Sequence, residues 1–179
     1  NAKAAISING GRGNIYVRNN LVYGDGQFGI KVSSKKAIPV TDLEISGNTM
    51  RINGITTNPY QLVVFGFSKM QQVITPLIFN NRIESPGNVS NRGLILEGID
   101  SSADGIDGAK IYNNYIDVKE HGNVEYGEAG WTHALRMREP DYPIPEAKFF
   151  NNEFYGNTFK STGYYNSATD NGDGVSIRT

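Results

Sequence analysis

Short runs of alternating apolar and polar residues recur along the whole chain, separated by Gly, Asn, Asp and Pro. This period of two, carried by β-branched and aliphatic residues, predicts strands throughout. Five segments align on an asparagine: 15–22 (IYVRNNLV), 43–50 (LEISGNTM), 76–83 (PLIFNNRI), 109–116 (AKIYNNYI) and 147–154 (AKFFNNEF). The markers are Asn20, Asn48, Asn81, Asn114 and Asn152, spaced by 28, 33, 33 and 38 residues. A mostly apolar residue stands three positions before each marker (Val17, Ile45, Ile78, Ile111, Phe149) and another two after it (Val22, Met50, Ile83, Ile116, Phe154). Between these segments lies a second series of strands with inward pairs Ile6/Ile8, Ile30/Val32, Leu62/Val64, Leu94/Leu96, Leu135/Met137 and Val175/Ile177. The best helical competitor, THALRMRE at 132–139, is stopped by Pro140 and falls in register with the other strands.

Strands that recur in the same order once per turn must stack in parallel, so equivalent positions of successive coils form ladders about 4.8 Å apart. Asparagine suits such a ladder: a stacked amide donates and accepts along the axis, and Asn tolerates left-handed dihedrals at a turn. The expected molecule is a single-sheeted solenoid of about five coils with at least two strands in each. Residues 1–179 form one domain, expected to be a segment of a larger polypeptide because the sequence starts and stops inside the repeat.

The recurrent apolar-x-apolar-x-x-Asn-x-apolar unit, covering nearly all of residues 4–178, resembles the generic repeat of the right-handed parallel β-helix proteins, the pectate-lyase-like superfamily. The resemblance implies an all-β, right-handed parallel β-helix and an extracellular, cell-surface or virion-surface setting. Right-handedness also follows the general bias of parallel crossovers. The superfamily includes lyases, glycoside hydrolases, tailspikes and adhesins. The Trp-Ile-Asp-His motif of its pectate lyases is absent, and its polygalacturonase motifs find only near misses at Asn171-Gly172-Asp173, Glu120-His121-Gly122 and Ser176-Ile177-Arg178.

Composition narrows the chemistry. The chain has no Cys and only His121 and His133, which removes disulfides, thiolate nucleophiles and histidine-rich metal sites. Its 17 basic and 18 acidic side chains show no basic block of the kind that binds nucleic acid. The longest apolar stretch, Leu62 to Phe67, is interrupted by a glycine and falls far short of a membrane span. GDGQFG at 24–29 leads into a strand instead of a helix, which excludes a dinucleotide loop. DSSADG at 100–105 lacks the distal Glu of a calcium-binding EF-hand.

If the aliphatic residues of the second strand series point inward, two columns point outward: Ser7, Lys31, Val63, Ile95, Arg136, Ser176, and Asn9, Ser33, Phe65, Glu97, Arg138, Arg178. Val63, Phe65 and Ile95 form an apolar patch that a loop, a ligand or a homo-oligomeric assembly would cover. Phe79, Tyr112 and Phe150 form a further aromatic ladder. From each asparagine to the next inward strand the chain takes 10, 14, 13, 21 and 23 residues, so the C-terminal coils carry the long loops. Those loops supply Tyr126, Trp131, Tyr164 and Tyr165, flat faces suited to sugar rings, beside acids that bind hydroxyls or a cation.

Glu97, Arg136, Arg138 and Arg178 with His133 make the sharpest catalytic constellation. Guanidinium groups can neutralise a uronate carboxylate and ease removal of the neighbouring proton. That chemistry is polysaccharide β-elimination, with Lys31, Arg178, Tyr126, Trp131, Tyr164 and Tyr165 as substrate contacts. Lyases of the resembled superfamily use a basic residue and carboxylate-bound calcium, which implies Arg136 or Arg138 as base and Asp170 and Asp173 as calcium ligands. His133 falls in the inward phase and reads equally as a core residue, and Glu97 with Arg138 reads equally as a cross-strand ion pair. The function expected is binding, and cleavage by elimination, of an acidic polysaccharide. The competing readings are a non-enzymatic spike, adhesin or fibre segment, and hydrolysis by paired acids such as Glu125/Glu128 or Asp170/Asp173.

Overall fold

Alternation of aliphatic residues with polar ones gives strands whose two faces differ, and glycine and asparagine between them turn the chain sharply. The computed structural model describes residues 4–11, 13–34, 39–53, 60–66, 73–85, 92–98, 106–119, 133–138, 151–162 and 175–177. The first coil holds β1 (Ala4–Asn9), β2 (Ile15–Arg18) and β3 (Leu21–Gly24); the second holds β4 (Phe28–Ser33), β5 (Val40–Thr41), β6 (Leu43–Ser46) and β7 (Thr49–Ile52). The third holds β8 (Tyr60–Gly66), β9 (Val73–Ile74), β10 (Leu77–Phe79) and β11 (Arg82–Glu84), and the fourth β12 (Arg92–Gly98), β13 (Ile106–Asp107), β14 (Lys110–Tyr112) and β15 (Tyr115–Lys119). β16 (His133–Arg138), β17 (Glu153–Tyr155) and β18 (Thr158–Thr162) make the fifth, and β19 (Val175–Ile177) opens a sixth.

The protein is all-β, with no helix among the described residues. Every strand pairs in parallel with its counterpart one coil away. A first sheet runs β1-β4-β8-β12-β16-β19, a second β2-β6-β10-β14-β17, a third β3-β7-β11-β15-β18, and a short one β5-β9-β13. This topology of stacked parallel sheets is consistent with a β-helix solenoid. Three long sheets replace the single sheet expected from the sequence, because the asparagine segment bends at its centre and supplies one strand on each side of the bend.

That bend is held by the asparagine ladder. The backbone N–H and the Nδ2 of Asn20 donate to Asn48 Oδ1, at 3.0 and 2.9 Å. Asn48 donates in the same way to Asn81, and Asn81 to Asn114, all at 2.9–3.0 Å. The second Nδ2 proton reaches back to the preceding coil: Asn48 to Val17 O, Asn81 to Ile45 O and Asn114 to Ile78 O, each at 2.8 Å.

The fifth member is Asn157, not Asn152. Asn114 donates from N and Nδ2 to Asn157 Oδ1 at 3.0 Å, 43 residues away, and Asn157 Nδ2 donates to Ile111 O at 2.7 Å. Lys110, Ile111 and Tyr112 accordingly pair with Glu153, Phe154 and Tyr155. Asn152 serves the neighbouring corner, accepting from Ala109 N at 2.9 Å and donating to Ile106 O at 3.2 Å. Most of the extra length before Asn157 falls between β15 and β16, where Asn114 to Leu135 takes 21 residues against 13 from Asn81 to Leu94.

Left-handed backbone stands one position before the ladder asparagines, at Asn19, Gly47, Asn80, Asn113 and Gly156, and in a second column at Asp42, Thr75, Gly108 and Asn151. Glycine makes room twice in the first column: a Cβ at Gly47 or Gly156 would displace the side-chain oxygen of Asn19 or Asn113. Thr75, β-branched with φ of 50°, is the residue least suited to its place.

The core is a stack of aliphatic columns, with Ile30, Leu62 and Leu94 fully buried above one another and Ile45, Ile78 and Ile111 likewise. Full burial of each such side chain contributes about 1.5–3 kcal/mol. Simple alternation breaks at one point of the first sheet. Gln61, Ala134 and the residues that follow them, Leu62 and Leu135, are all buried, and a Cβ on Gly29 or Gly93, at the equivalent position, would press on Ile52 or Ile116. Two consecutive residues therefore face the core, and Gln61 satisfies its amide there on Ile52 O and N at 2.8 and 2.7 Å.

Truncating an inner ladder residue strands buried polar groups on two neighbouring coils, each worth about 1–3 kcal/mol. We expect Asn81→Ala to cost on the order of 3 kcal/mol in urea unfolding, and Asn20→Ala, whose Oδ1 accepts nothing among the described residues, about 1 kcal/mol. Equal losses would show that the ladder is not the source. Thr75→Asn should gain up to about 1 kcal/mol in the same assay by relieving the left-handed strain; a loss would show that the Thr75 side chain compensates for it.

Candidate functional site

The strand register of the first sheet brings several of the sequence-derived residues together. Ser7, Lys31, Val63, Ile95, Arg136 and Ser176 pair in one column, and Asn9, Ser33, Phe65, Glu97 and Arg138 in the next. Arg136 therefore lies beside Ile95 and Arg138 beside Glu97, and Lys31 stands three coils from Arg136, about 14 Å away. Lys31 is half-buried with its Nζ 4.9 Å from the centroid of the Phe28 ring. Tyr126, Trp131, Tyr164, Tyr165, Asp170, Asp173 and Arg178 lie outside the described residues.

One expectation changes on this face. His133 pairs in the column of Phe28, Tyr60 and Arg92, and Phe28 packs with Ile95 and Ala4 in a small cluster separate from the core. Ile95 is 1% exposed within a single chain, so an assembly surface made of Val63, Phe65 and Ile95 is not open at Ile95.

The second sheet uses its outer side chains on one another. Phe79, Tyr112 and Tyr155 form a continuous stack with centroids 4.8 and 4.9 Å apart, Tyr155 standing where the sequence pointed to Phe150. Burial, with Tyr155 and Glu44 adding to it, raises the Tyr112 phenol above its usual range. Glu44 accepts from Arg18, with Nε to Oε1 at 2.7 Å, and from Ser46 Oγ at 2.6 Å. The Arg18 guanidinium also lies 3.8 Å over the Tyr16 ring. The hydrogen bond from Arg18, then that from Ser46, holds the Glu44 carboxyl below the ordinary carboxylate range.

On the third sheet Arg82 bonds Glu84, and the Tyr115 ring lies 4.9 Å from Arg82 Cζ and 5.1 Å from Lys160 Nζ. Lys160 Nζ donates to the Tyr115 hydroxyl and that hydroxyl to Asp117 Oδ2, both at 3.2 Å. The phenol thus links an ammonium to a carboxylate, and its hydrogen bond is the largest cause of a raised Lys160 pKa. Arg51, Glu84, Ser85, Asp117 and Lys119 line an open polar depression of about 150 Å³ beside this network. No group of three or more His, Asp or Glu side chains among the described residues converges as a metal ion would require. No described helix is long and apolar enough to cross a membrane.

No protein-family model matches the chain, and no curated protein or solved structure matches it.

Because the folded Glu44 carboxyl has a depressed pKa, the stability it adds is fully present above its unfolded value, about 4.3, and is lost as pH falls through the lower folded value. Thermal unfolding of Glu44→Gln should therefore decline less steeply than wild type as pH drops below about 4.3. Parallel curves would remove Glu44 from the acid response.

Proposed function

We propose that this chain is a right-handed β-helix of the pectate-lyase-like kind, displayed outside the cell or on a virion, that binds an acidic polysaccharide on the outer face of its first sheet and cleaves it by β-elimination. The observation that supports this reading is the register in which Arg136 and Arg138 lie in one strand beside Ile95 and Glu97, with Lys31 in the same column as Arg136. Guanidinium groups neutralise the uronate carboxylate and so acidify the proton on the carbon that bears it. Arg136 or Arg138 takes that proton, the role that the resemblance to lyases using a basic residue assigns to it. The electrons form a carbon–carbon double bond, the adjacent glycosidic C–O bond breaks, and the leaving oxygen takes up a proton. Calcium, if bound, would supply further neutralisation of the carboxylate; no step here is taken through it.

A second reading, a non-enzymatic fibre or spike segment, has its own support. Ile6, Ile8 and Ile15 in the first coil and Phe154 and Phe159 in the fifth are only partly buried, while the equivalent residues of the inner coils are fully buried. Apolar side chains left partly exposed in this way suit contact with a second protein surface, as a fibre or spike segment makes.

Incubation with uronate-containing and neutral polysaccharides, with calcium and then with chelator, separates these readings. Polymer shortening with new ultraviolet absorbance from unsaturated uronates is the expected result, and it should fall at least tenfold in Arg136→Ala or Arg138→Ala. Shortening without absorbance would favour paired carboxylates, and no shortening would favour the structural segment.

A further inference from the structure

The third sheet presents an outer column that reads Tyr23, Arg51, Glu84, Asp117, Lys160, one residue per coil. Tyr23 pairs with Arg51, Glu84 with Asp117 and Asp117 with Lys160, and the pairing of Ile83 with Met50 sets Glu84 next to Arg51. Successive members are about 4.8 Å apart along the axis, a stride close to that of one sugar unit in an extended glycan.

The members differ in how far the fold already uses them. The Tyr16 ring carries Arg18, Tyr115 lies between Arg82 and Lys160, and Tyr112 is stacked on both faces. Tyr23 is 72% exposed, beside Leu21 at 69%, and no ring or cation covers it among the described residues. Arg51 is exposed and makes no ion pair among the described residues. Among the described residues the Asp117 carboxylate accepts from the Tyr115 hydroxyl alone, through Oδ2, and Glu84 bonds Arg82 through Oε1. The depression these residues line has a fixed rim: Ser85 is buried, its Oγ accepting from Lys119 N at 2.7 Å and donating to Lys119 O at 3.1 Å.

We propose that this face, from Tyr23 to Asp117, is a saccharide-binding groove for a neutral, hydroxyl-rich glycan lying along the solenoid axis. An open tyrosine ring offers a flat apolar surface to sugar C–H groups. Carboxylates accept from hydroxyls and a guanidinium donates to ring and hydroxyl oxygens. The charges select against charged polymers. An acidic chain would meet Glu84 and Asp117, a cationic chain would meet Arg51, Arg82, Lys119 and Lys160, and a neutral polyhydroxylated chain can satisfy both sets at once. This groove is separate from the first-sheet site and does not depend on the acidic-polymer reading of it.

The test is an array of neutral and uronate-containing glycans, followed by calorimetric titration with the best neutral oligosaccharide on wild type, Tyr23→Ala and Asp117→Asn. Both substitutions are on the outer surface, and an unchanged thermal midpoint verifies that each variant is folded. The expected result is retention of neutral glycans, with binding about tenfold weaker in either variant. Absence of neutral-glycan binding across the array, or neutral binding unchanged in Tyr23→Ala and Asp117→Asn, would overturn the proposal. Elimination assays use uronate polymers, so their failure leaves this result unaffected.

Discussion

Each inner asparagine of the ladder is bonded to three coils at once. Its Oδ1 accepts two donors from the coil before, one Nδ2 proton returns to a carbonyl of that same coil, and the other Nδ2 proton and the backbone N–H go on to the coil after. Asn48, Asn81 and Asn114 do this while almost wholly buried, where an unpaired amide would cost more than the bond itself returns. The ladder therefore fixes the corner between the second and third sheets and sets the register of both. A slip of one residue would turn every aliphatic side chain of a strand to solvent and leave the amides without partners. What stands on the outside of the solenoid follows from that registration.

The outer faces divide by how completely they satisfy themselves. On the second sheet, Arg18 bonds Glu44, the rings of Phe79, Tyr112 and Tyr155 cover one another, and Lys110 approaches Glu153 at 3.9 Å. Little recognition chemistry is left over there, and the arrangement is that of a stabilised wall. On the third sheet, among the described residues, Tyr23 has open ring faces, Arg51 makes no ion pair and Asp117 Oδ1 accepts no hydrogen bond. The first sheet has a buried outer cluster at Phe28 and Ile95, with Lys31 and Arg136 in the same column as Ile95. The third face, unlike the second, retains groups that a ligand could engage.

Much of this was legible in the sequence, and the losses have physical reasons. The outward columns of the first sheet were readable because its strands are long and their aliphatic pairs unambiguous. Three features were hidden. The fifth coil was misaligned because Asn151-Asn152 matches the Asn-Asn pairs at 80–81 and 113–114, although Gly156-Asn157-Thr158 repeats Gly47-Asn48-Thr49, the better signal for a position that needs a left-handed residue followed by an amide. The double inward step at Gln61-Leu62 and Ala134-Leu135 defeats any strict period of two. The third sheet was not anticipated as a separate face, because its strands follow the second sheet after only two residues and read as one segment. The column from Tyr23 to Lys160 joins residues that share nothing in sequence, and only the strand register assembles it.

The same geometry separates positions that must repeat from positions that are free to differ. Inside, stacking places like beside like: the column through Val17, Ile45, Ile78, Ile111 and Phe154 stays apolar, and the ladder stays asparagine, because each member packs or bonds against its own counterpart. Outside, solvent imposes no such identity, and the column through Tyr23, Arg51, Glu84, Asp117 and Lys160 passes from a phenol to a guanidinium, two carboxylates and an ammonium. A side-by-side lattice built on the regular repeat would favour outer columns that repeat as the inner ones do. A surface that alters from coil to coil suits instead an extended partner recognised unit by unit, with the solenoid acting as a ruler of about 4.8 Å per step.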